Sequence, residues 1–257
     1  AGDQLTAVLG EPVSSINGLK TAIASTIIGG KIQLSVLRAK KAIDIEIAVA
    51  ARTASLPEEL KNEDASEAPT TGELKLVDAA NPTLFITPAD QTMARPLLVW
   101  LAPAGEFDTK VIKKRWQSAC QKNGINLLAI GAGAAKQWSP QETPVILQTV
   151  NTYAKQSKID VDRIVIGGRG NGGTMASLIC FSTAKQFQGL ILDEAEFSSQ
   201  IAEINPDPMS PLMVLSGGSA AQQGSLVPVQ ESKTPLLVVP IIEAEAAARW
   251  VGFVDRL

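Results

Sequence analysis

The sequence predicts an α/β fold, in which a mostly parallel sheet is covered by helices on both faces and is preceded by a small α+β unit. From about residue 96 onward, continuous apolar segments alternate with amphipathic helical patterns, which is typical of a parallel sheet. The first 52 residues follow another pattern, with one helix and short alternating strands. An unpatterned stretch separates the two parts. We therefore predict a small unit at 1–52, an acidic linker at 53–75 and a larger domain at 76–257.

The small unit is predicted from two kinds of spacing. Ile16, Leu19 and Ile23 recur at helical spacing in the segment SSINGLKTAIAST. Alternation of apolar and polar residues then predicts two strands joined by a turn at RAKK. The apolar positions of these strands are Ile32, Leu34, Val36, Ile43, Ile45, Ile47 and Val49. So short a unit has a thin core, and we expect other chain segments to complete it.

The linker and the larger domain differ sharply in pattern. The linker is rich in Glu, Ala, Pro and Thr and has no sustained periodicity, which indicates a solvated segment. The predicted strands of the larger domain are Pro96–Pro103, Asn126–Ala132, Arg163–Gly168, Gly189–Glu194, Leu212–Gly218 and Pro235–Ile241. The predicted helices are Thr109–Lys122, Glu142–Ser157, one from about Gly172 to Lys185, and Ala244–Leu257.

Active sites in parallel sheets lie at the carboxyl ends of the strands, so the loops that follow the strands are the candidate site segments. These loops are Ala102–Phe107, Gly131–Trp138, Gly167–Gly173, Asp193–Ser198 and Ser216–Gly224.

Composition excludes several classes of function. The 257 residues include 23 basic and 26 acidic side chains, a net charge of −3, so we expect no nucleic-acid partner. No apolar run is long enough to predict a membrane span. The chain contains no histidine, the usual general base and the commonest metal ligand, so we expect neither a metal nor a cofactor. Its two cysteines, Cys120 and Cys180, lie in apolar helical patterns and are predicted to be buried thiols.

The segment RIVIGGRGNGGTMAS carries the strongest motif of the chain. It predicts a buried strand, a tight glycine turn and the start of a helix. Gly168, Gly170 and Gly173 match the G-x-G-x-x-G of dinucleotide-binding folds, and Asp193 lies where such folds place a ribose-binding acid. The turn also matches the G-x-S-x-G elbow of hydrolases, with Gly170 where the nucleophilic serine belongs and Gly172 as the last glycine. We favour the serine-less elbow and predict a positive φ at Gly170.

Residues 1–50 resemble the C-terminal part of a PDZ domain of the type attached to HtrA-like proteases. The resemblance rests on a Gly-Asp before a strand, on Gly-Glu-Pro-Val, on the helix that contains Leu19 and Ile23, and on a strand that ends in Arg38. It implies a peptide groove beside Leu19 and Ile23, a protein or peptide partner and an exported or cell-envelope protein. Strand edges in this unit also leave self-association open.

From about Leu84 to Leu257 the chain resembles the α/β-hydrolase superfamily of the esterase or dienelactone-hydrolase kind. LLVWLAPAGEFD is similar to the strand and oxyanion loop, and DVDRIVIGGRGNGGTMA is similar to the elbow. The whole layout is similar to PDZ and hydrolase-like proteins of planctomycete-type bacteria. The catalytic parts depart from the family pattern: Gly170 replaces the nucleophile, no histidine is present, and Ser216–Ser219 contain no carboxylate.

The sequence therefore favours a non-catalytic binding or scaffold module, not an enzyme itself, as the regulatory tail of an exported HtrA-like protease. Two alternatives remain: a degenerate hydrolase with an unrecognised nucleophile, and a nucleotide-binding protein that uses the Gly168–Gly173 loop. The degenerate elbow comprises Gly168, Arg169, Gly170, Asn171 and Gly172. The candidate ligand-binding residues are Arg169, Asp193 and Trp138, and we expect Arg169 to pair with Asp193 or with Glu194.

Overall fold

The computed structural model describes residues 3–15, 18–19, 23, 30–48, 55–58, 68–76, 79–90, 92–134, 136–183, 186–201, 204, 212–232 and 234–254. These residues form two compact units, an N-terminal unit within residues 1–53 and a C-terminal unit within residues 54–257. Within the described residues, no helix is long and apolar enough to cross a membrane.

The N-terminal unit contains an antiparallel four-stranded sheet. Its strands are β1 (Gln4–Val8), β2 (Glu11–Pro12), β3 (Lys31–Arg38) and β4 (Lys41–Ala48), in the order β2-β1-β3-β4. The predicted pair of strands joined at RAKK is confirmed: Ala39 and Lys40 both have positive φ, as a two-residue hairpin turn requires. Of the predicted helix, Gly18, Leu19 and Ile23 are helical, and Ile16 lies outside the described residues, as does Val49 of the predicted strand.

The C-terminal unit is built on one eight-stranded sheet with the order β12-β11-β10-β9-β7-β8-β6-β5. Its strands are β5 (Thr70–Gly72), β6 (Thr83–Thr87), β7 (Arg95–Leu101), β8 (Asn126–Ile130), β9 (Ile159–Arg169), β10 (Gly189–Asp193), β11 (Met213–Gly217) and β12 (Leu236–Val239). The strands from β7 to β12 run parallel to one another, and β6 pairs antiparallel with β8. The predicted α/β class with a mostly parallel sheet is therefore confirmed.

Helices cover both faces of this sheet. They are α1 (Thr109–Asn123), α2 (Thr143–Gln156), α3 (Asn171–Ser182), α4 (Ala220–Gly224), α5 (Val227–Glu231) and α6 (Ala244–Phe253). On one face, α1 and α6 bury Trp116 and Trp250 completely. On the other face, α2 and α3 pack Tyr153 and Met175 against the sheet. The central strands have continuous apolar sequences because both of their faces are covered by helices.

The end of the predicted linker belongs to the sheet. Residues Thr70–Gly72 form β5, which pairs antiparallel with β6, although we assigned residues 53–75 to a linker. A Cβ atom added at Gly72 would lie 2.5 Å from Cζ of Phe85, so the strand needs glycine to pass close to that ring. So short and polar a strand has no periodicity of its own, and it forms because the edge of β6 supplies its partner.

Candidate active site

The loops at the carboxyl ends of the parallel strands converge at one edge of the sheet. The Gly170 N–H donates to the carbonyl oxygen of Asp193 at 3.0 Å, and the Glu194 N–H donates to that of Gly217 at 2.7 Å. The indole N–H of Trp138 donates to the carbonyl oxygen of Ala102 at 2.9 Å. These bonds connect the predicted site loops in two groups, those after β9, β10 and β11 and those after β7 and β8. Loops within a group meet because the strands that precede them are neighbours in a parallel sheet.

The glycine turn forms a sharp tip between β9 and α3. Gly170 lies at the tip with φ 55° and ψ −131°, which confirms the predicted positive φ. The other glycines are required by packing. A Cβ atom at Gly168 would lie 2.5 Å from the carbonyl oxygen of Leu101, and one at Gly172 would lie 2.3 Å from the same atom. At Gly173 it would lie 2.4 Å from Cβ of Ala195. These glycines therefore allow α3 to approach the sheet closely.

Gly170 differs from the other glycines of the turn because, among the described residues apart from its chain neighbours, no atom lies within 4 Å of the position that its Cβ atom would occupy. The tip therefore opens to free space on the side where a side chain would project. In a G-x-S-x-G elbow, this is the place of the nucleophilic hydroxyl.

Asn171 connects the tip to the loop after β7. The N–H of Ala104 donates to Oδ1 of Asn171 at 2.9 Å, across 67 residues of sequence. A backbone donor from this loop is thus aimed at an oxygen atom beside Gly170. Esterase-type sites use a donor in this loop, together with the N–H that follows the nucleophile, to stabilise an oxyanion. The N–H of Asn171 itself is in the first turn of α3, where an amide has no partner within the helix.

Arg169 pairs with Glu194, which confirms one of the two pairings predicted from the sequence. Nε of Arg169 donates to Oε2 of Glu194 at 3.0 Å, and Nη2 donates to the same oxygen. This hydrogen bonding raises the pKa of the Arg169 guanidinium, which stays charged. Both side chains are about half exposed, and Glu194 has a left-handed backbone with φ 48°. The pair lies directly beside the tip.

Asp193 has a different partner. Its Oδ2 accepts from Nη2 of Arg115 at 2.8 Å, and the same nitrogen donates to the carbonyl oxygen of Ile242 at 3.2 Å. The guanidinium of Arg115 also lies 5.1 Å from the ring centre of Trp100 and 5.3 Å from that of Trp116. Burial raises the pKa of Asp193, and the charge and hydrogen bond of Arg115 oppose that rise. Nothing in the local sequence around Arg115 predicted this contact.

The other residues singled out in the sequence are a tryptophan, two cysteines and the two residues of the predicted groove. Trp138 is half-buried against the core and is hydrogen-bonded to the loop after β7. Cys120 and Cys180 are buried free thiols, and burial raises the pKa of both. Leu19 and Ile23 belong to the N-terminal unit, and the peptide groove assigned to them stays a prediction. Across the described ranges, no group of three or more potential ligands is arranged to hold a metal ion.

Comparison with known proteins shows the fold. No protein-family model matches the sequence, and no curated protein matches it. Among solved structures, a fluorophosphonate-binding serine hydrolase F of Staphylococcus aureus, determined with substrate bound, is 13% identical with a TM-score of 0.54, covering 73% of this chain and 99% of that one. The S-formylglutathione hydrolase of the same organism is 14% identical with a TM-score of 0.52 over 75% and 99%. A ferulic acid esterase is 11% identical with a TM-score of 0.56 over 72% and 97%. The chain has an α/β-hydrolase-like fold.

These similarities contradict the interpretation of the chain as a non-catalytic scaffold that is not an enzyme. The solved structures that share its fold include serine hydrolases and esterases, whereas the interpretation assumed a purely binding module. The usual serine and histidine are missing, because the tip carries Gly170 and the sequence contains no histidine. The interpretation was wrong because it judged activity only from the positions of the nucleophile, the histidine and the acid of the usual triad.

The hydrolase-like fold also accounts for the glycine motif without a dinucleotide. Asp193, which a ribose would need, is 4% exposed and paired with Arg115. Gly168, Gly172 and Gly173 are each explained by contacts with backbone or side-chain atoms of the sheet and its loops. The acid that the dinucleotide motif assigns to a ribose is therefore already paired with an arginine.

Proposed function

We propose that the C-terminal unit hydrolyses esters of small carboxylic acids at the tip of the Gly170 turn, with water in the place of a serine nucleophile. One observation carries the proposal: the Ala104 N–H is aimed at an oxygen atom, Oδ1 of Asn171, beside the open space at Gly170. A substrate carbonyl oxygen that replaces Oδ1 would receive the same hydrogen bond. The hydrolase-like fold supports this location for the site.

The proposed reaction needs a base other than histidine, and Glu194 lies beside the tip. A water molecule at Gly170 attacks the carbonyl carbon of the ester and gives one proton to the Glu194 carboxylate. The oxyanion that forms is stabilised by the N–H groups of Ala104 and Asn171. The bond to the alcohol oxygen then breaks, and Glu194 returns the proton to that oxygen. The products are a carboxylic acid and an alcohol, and Glu194 is regenerated.

The expected rate is modest. Proteases that lose triad residues retain about 10³- to 10⁴-fold acceleration over water, which comes from the oxyanion donors and from binding. A carboxylate is also a weaker base than the imidazole that it replaces here. We therefore expect turnover of activated esters that is slow but above the rate in buffer.

Asn171 provides the test. In Asn171→Ala, Ala104 is freed to bind a substrate oxygen, and we expect hydrolysis of p-nitrophenyl acetate to rise about tenfold, because an oxyanion donor contributes at least that much. In Asn171→Asp, a charged acceptor holds the Ala104 N–H more strongly, so the rate should fall. The control is Asn151→Ala, which removes a hydrogen bond to Gln186 on the outside of the unit. Activity equal to buffer in the wild type and in every variant would overturn the proposal.

We further propose that the N-terminal unit is PDZ-like and binds a protein or peptide partner beside Leu19 and Ile23, in an exported or cell-envelope protein. The edge position of β4, with Ile43 and Ile47 36% and 40% exposed, supports an interacting surface. Titration of the whole chain with a peptide that ends in apolar residues tests it. Binding that Ile23→Asp does not weaken would contradict the assignment of the groove.

A further inference from the structure

Arg169 carries a positive charge immediately before the residue at the tip. Two of its N–H groups converge on a single oxygen of Glu194, so the parallel two-bond geometry that a guanidinium can offer a carboxylate is not filled. The side chain of Arg169 is 46% exposed and that of Glu194 is 52% exposed. Exposed pairs contribute little to stability, so another carboxylate can replace Glu194 at small cost.

The backbone of Glu194 marks this position as unusual. Four residues other than glycine have positive φ in the described part of the chain: Leu9, Ala39, Lys40 and Glu194. Leu9, Ala39 and Lys40 lie in the hairpin turns of the N-terminal unit, where such angles are normal. Glu194 instead follows a parallel strand beside the tip. Strained backbone of this kind is concentrated at functional sites, where the surrounding structure holds it.

Arg115, the second arginine of the site, is held by more contacts than Arg169. Arg115 is fixed by Asp193, by the carbonyl oxygen of Ile242 and by the faces of two tryptophan rings. Its side chain is 25% exposed and that of Asp193 is 6% exposed, which leaves no room for exchange of partners. Arg169 instead pairs with Glu194, whose side chain is exposed. Of the two arginines, it is the one that a ligand can reach.

We propose that Arg169 binds a carboxylate of the substrate, so that the preferred substrates are half-esters of short dicarboxylic acids. The substrate carboxylate displaces Glu194 from Arg169, and the released Glu194 carboxylate becomes the base beside the tip. Glu106 also acts electrostatically on Arg169. The substrate carboxylate therefore takes the place of Glu194 on Arg169, and Glu194 remains beside the tip. This inference rests on the proposed function for the position of the scissile ester, whereas recognition of the carboxylate is measured separately.

The binding experiment uses two stable amides of equal length, N-methylsuccinamate with a carboxylate and N-methylbutyramide without one. Calorimetric titration of the wild-type chain should give about threefold tighter binding of the succinamate, the effect of one charge pair at an exposed site. In Arg169→Ala the two affinities should become equal, and in Glu194→Gln the preference should increase because the competing carboxylate is gone. The control is Arg163→Ala, an arginine on the same strand that pairs with Asp160.

Kinetics with the p-nitrophenyl half-ester of succinic acid and p-nitrophenyl butyrate complete the test. The wild type should have a KM for the half-ester that is about threefold lower than its KM for the butyrate. Arg169→Ala should remove that difference, and Arg163→Ala should keep it. Equal affinities in the wild type, or a preference that survives in Arg169→Ala, would overturn the inference. If the succinamate preference depends on Arg169 but no ester is hydrolysed, the proposed function fails and the recognition of carboxylates stands.

Discussion

At the scale of single residues, the glycines around the tip have two different roles. Gly168, Gly172 and Gly173 allow close packing, because an added Cβ atom at each would lie under 3 Å from a neighbouring atom. Gly170 instead adopts a backbone conformation that other residues avoid, and it faces open space. The glycines of this motif therefore meet two different requirements, close packing in three positions and an unusual backbone conformation in the fourth.

Gly172→Ala tests the steric requirement. Its Cβ atom would lie 2.3 Å and 2.7 Å from the carbonyl oxygens of Leu101 and Ala102, which are backbone atoms that cannot rotate away. We expect the free energy of unfolding in urea to fall by about 3 kcal/mol, the upper part of the range for overpacking. Gly252→Ala in α6 is the matched control, since nothing lies within 4 Å of its Cβ position. It should be neutral or stabilise by about 0.5–1 kcal/mol. Equal losses in both variants would contradict the packing role.

At the scale of elements, the loop after β8 is held by one carboxylate. Oε1 of Glu142 accepts from the Gly133 N–H at 2.7 Å and from Nδ2 of Asn81 at 2.8 Å. Its Oε2 accepts from the Ser139 N–H at 2.7 Å. Trp138 lies between these points, so Glu142 helps to hold Trp138 in place.

Glu142→Gln should loosen that loop. The amide nitrogen of glutamine would face a backbone N–H, so at least one hydrogen bond is lost and two donors oppose each other. We expect a red shift in tryptophan fluorescence from Trp138, because Trp100, Trp116 and Trp250 are 3% exposed or less and should not respond. Glu73→Gln, which removes an exposed pair with Lys75, serves as the control. An unchanged spectrum in Glu142→Gln would show that the loop is held by other contacts.

At the scale of the whole molecule, Arg115 and Asp193 connect distant parts of the C-terminal unit. Arg115 lies on α1, Asp193 ends β10, Ile242 follows β12 and Trp100 is on β7. The pair therefore joins one helix to three strands near the carboxyl ends of the sheet. Since breaking a buried pair leaves a charge without compensation, the unit depends on this contact more than on its surface pairs.

The pH dependence of unfolding tests the state of Asp193. Burial raises its pKa above the ordinary value of 3.8, so the folded chain binds that proton more tightly than the unfolded chain does. The resulting contribution to stability is fully present below pH 3.8 and is lost as the pH rises through the folded-state value. The unfolding free energy of wild type minus that of Asp193→Asn should therefore decrease from about pH 3 to about pH 7. Asp162→Asn, on an exposed side chain, is the control. A difference that increases with pH would mean that Arg115 outweighs burial.

Much of the fold could be predicted from residue patterns. The strands from β7 to β12 are long or apolar enough to be recognised, and their parallel pairing predicted that the loops after them would meet. The positive φ of Gly170 followed from the strand, turn and helix pattern around it. Residues Thr70–Gly72 and Thr83–Thr87 were missed as strands, because each pairs at the antiparallel side of the sheet and lacks a flanking pattern of its own.

The sequence by itself determined the α/β class, the glycine turn and the absence of histidine, since these depend on local periodicity and on residue identity. Only the tertiary structure decided which partners the side chains of the turn have. Arg169 pairs with Glu194 across 25 residues, Ala104 with Asn171 across 67, and Arg115 with Asp193 across 78. Such contacts are set by which strands are neighbours in the sheet, and strand order is a property of the packed chain that local propensity does not encode.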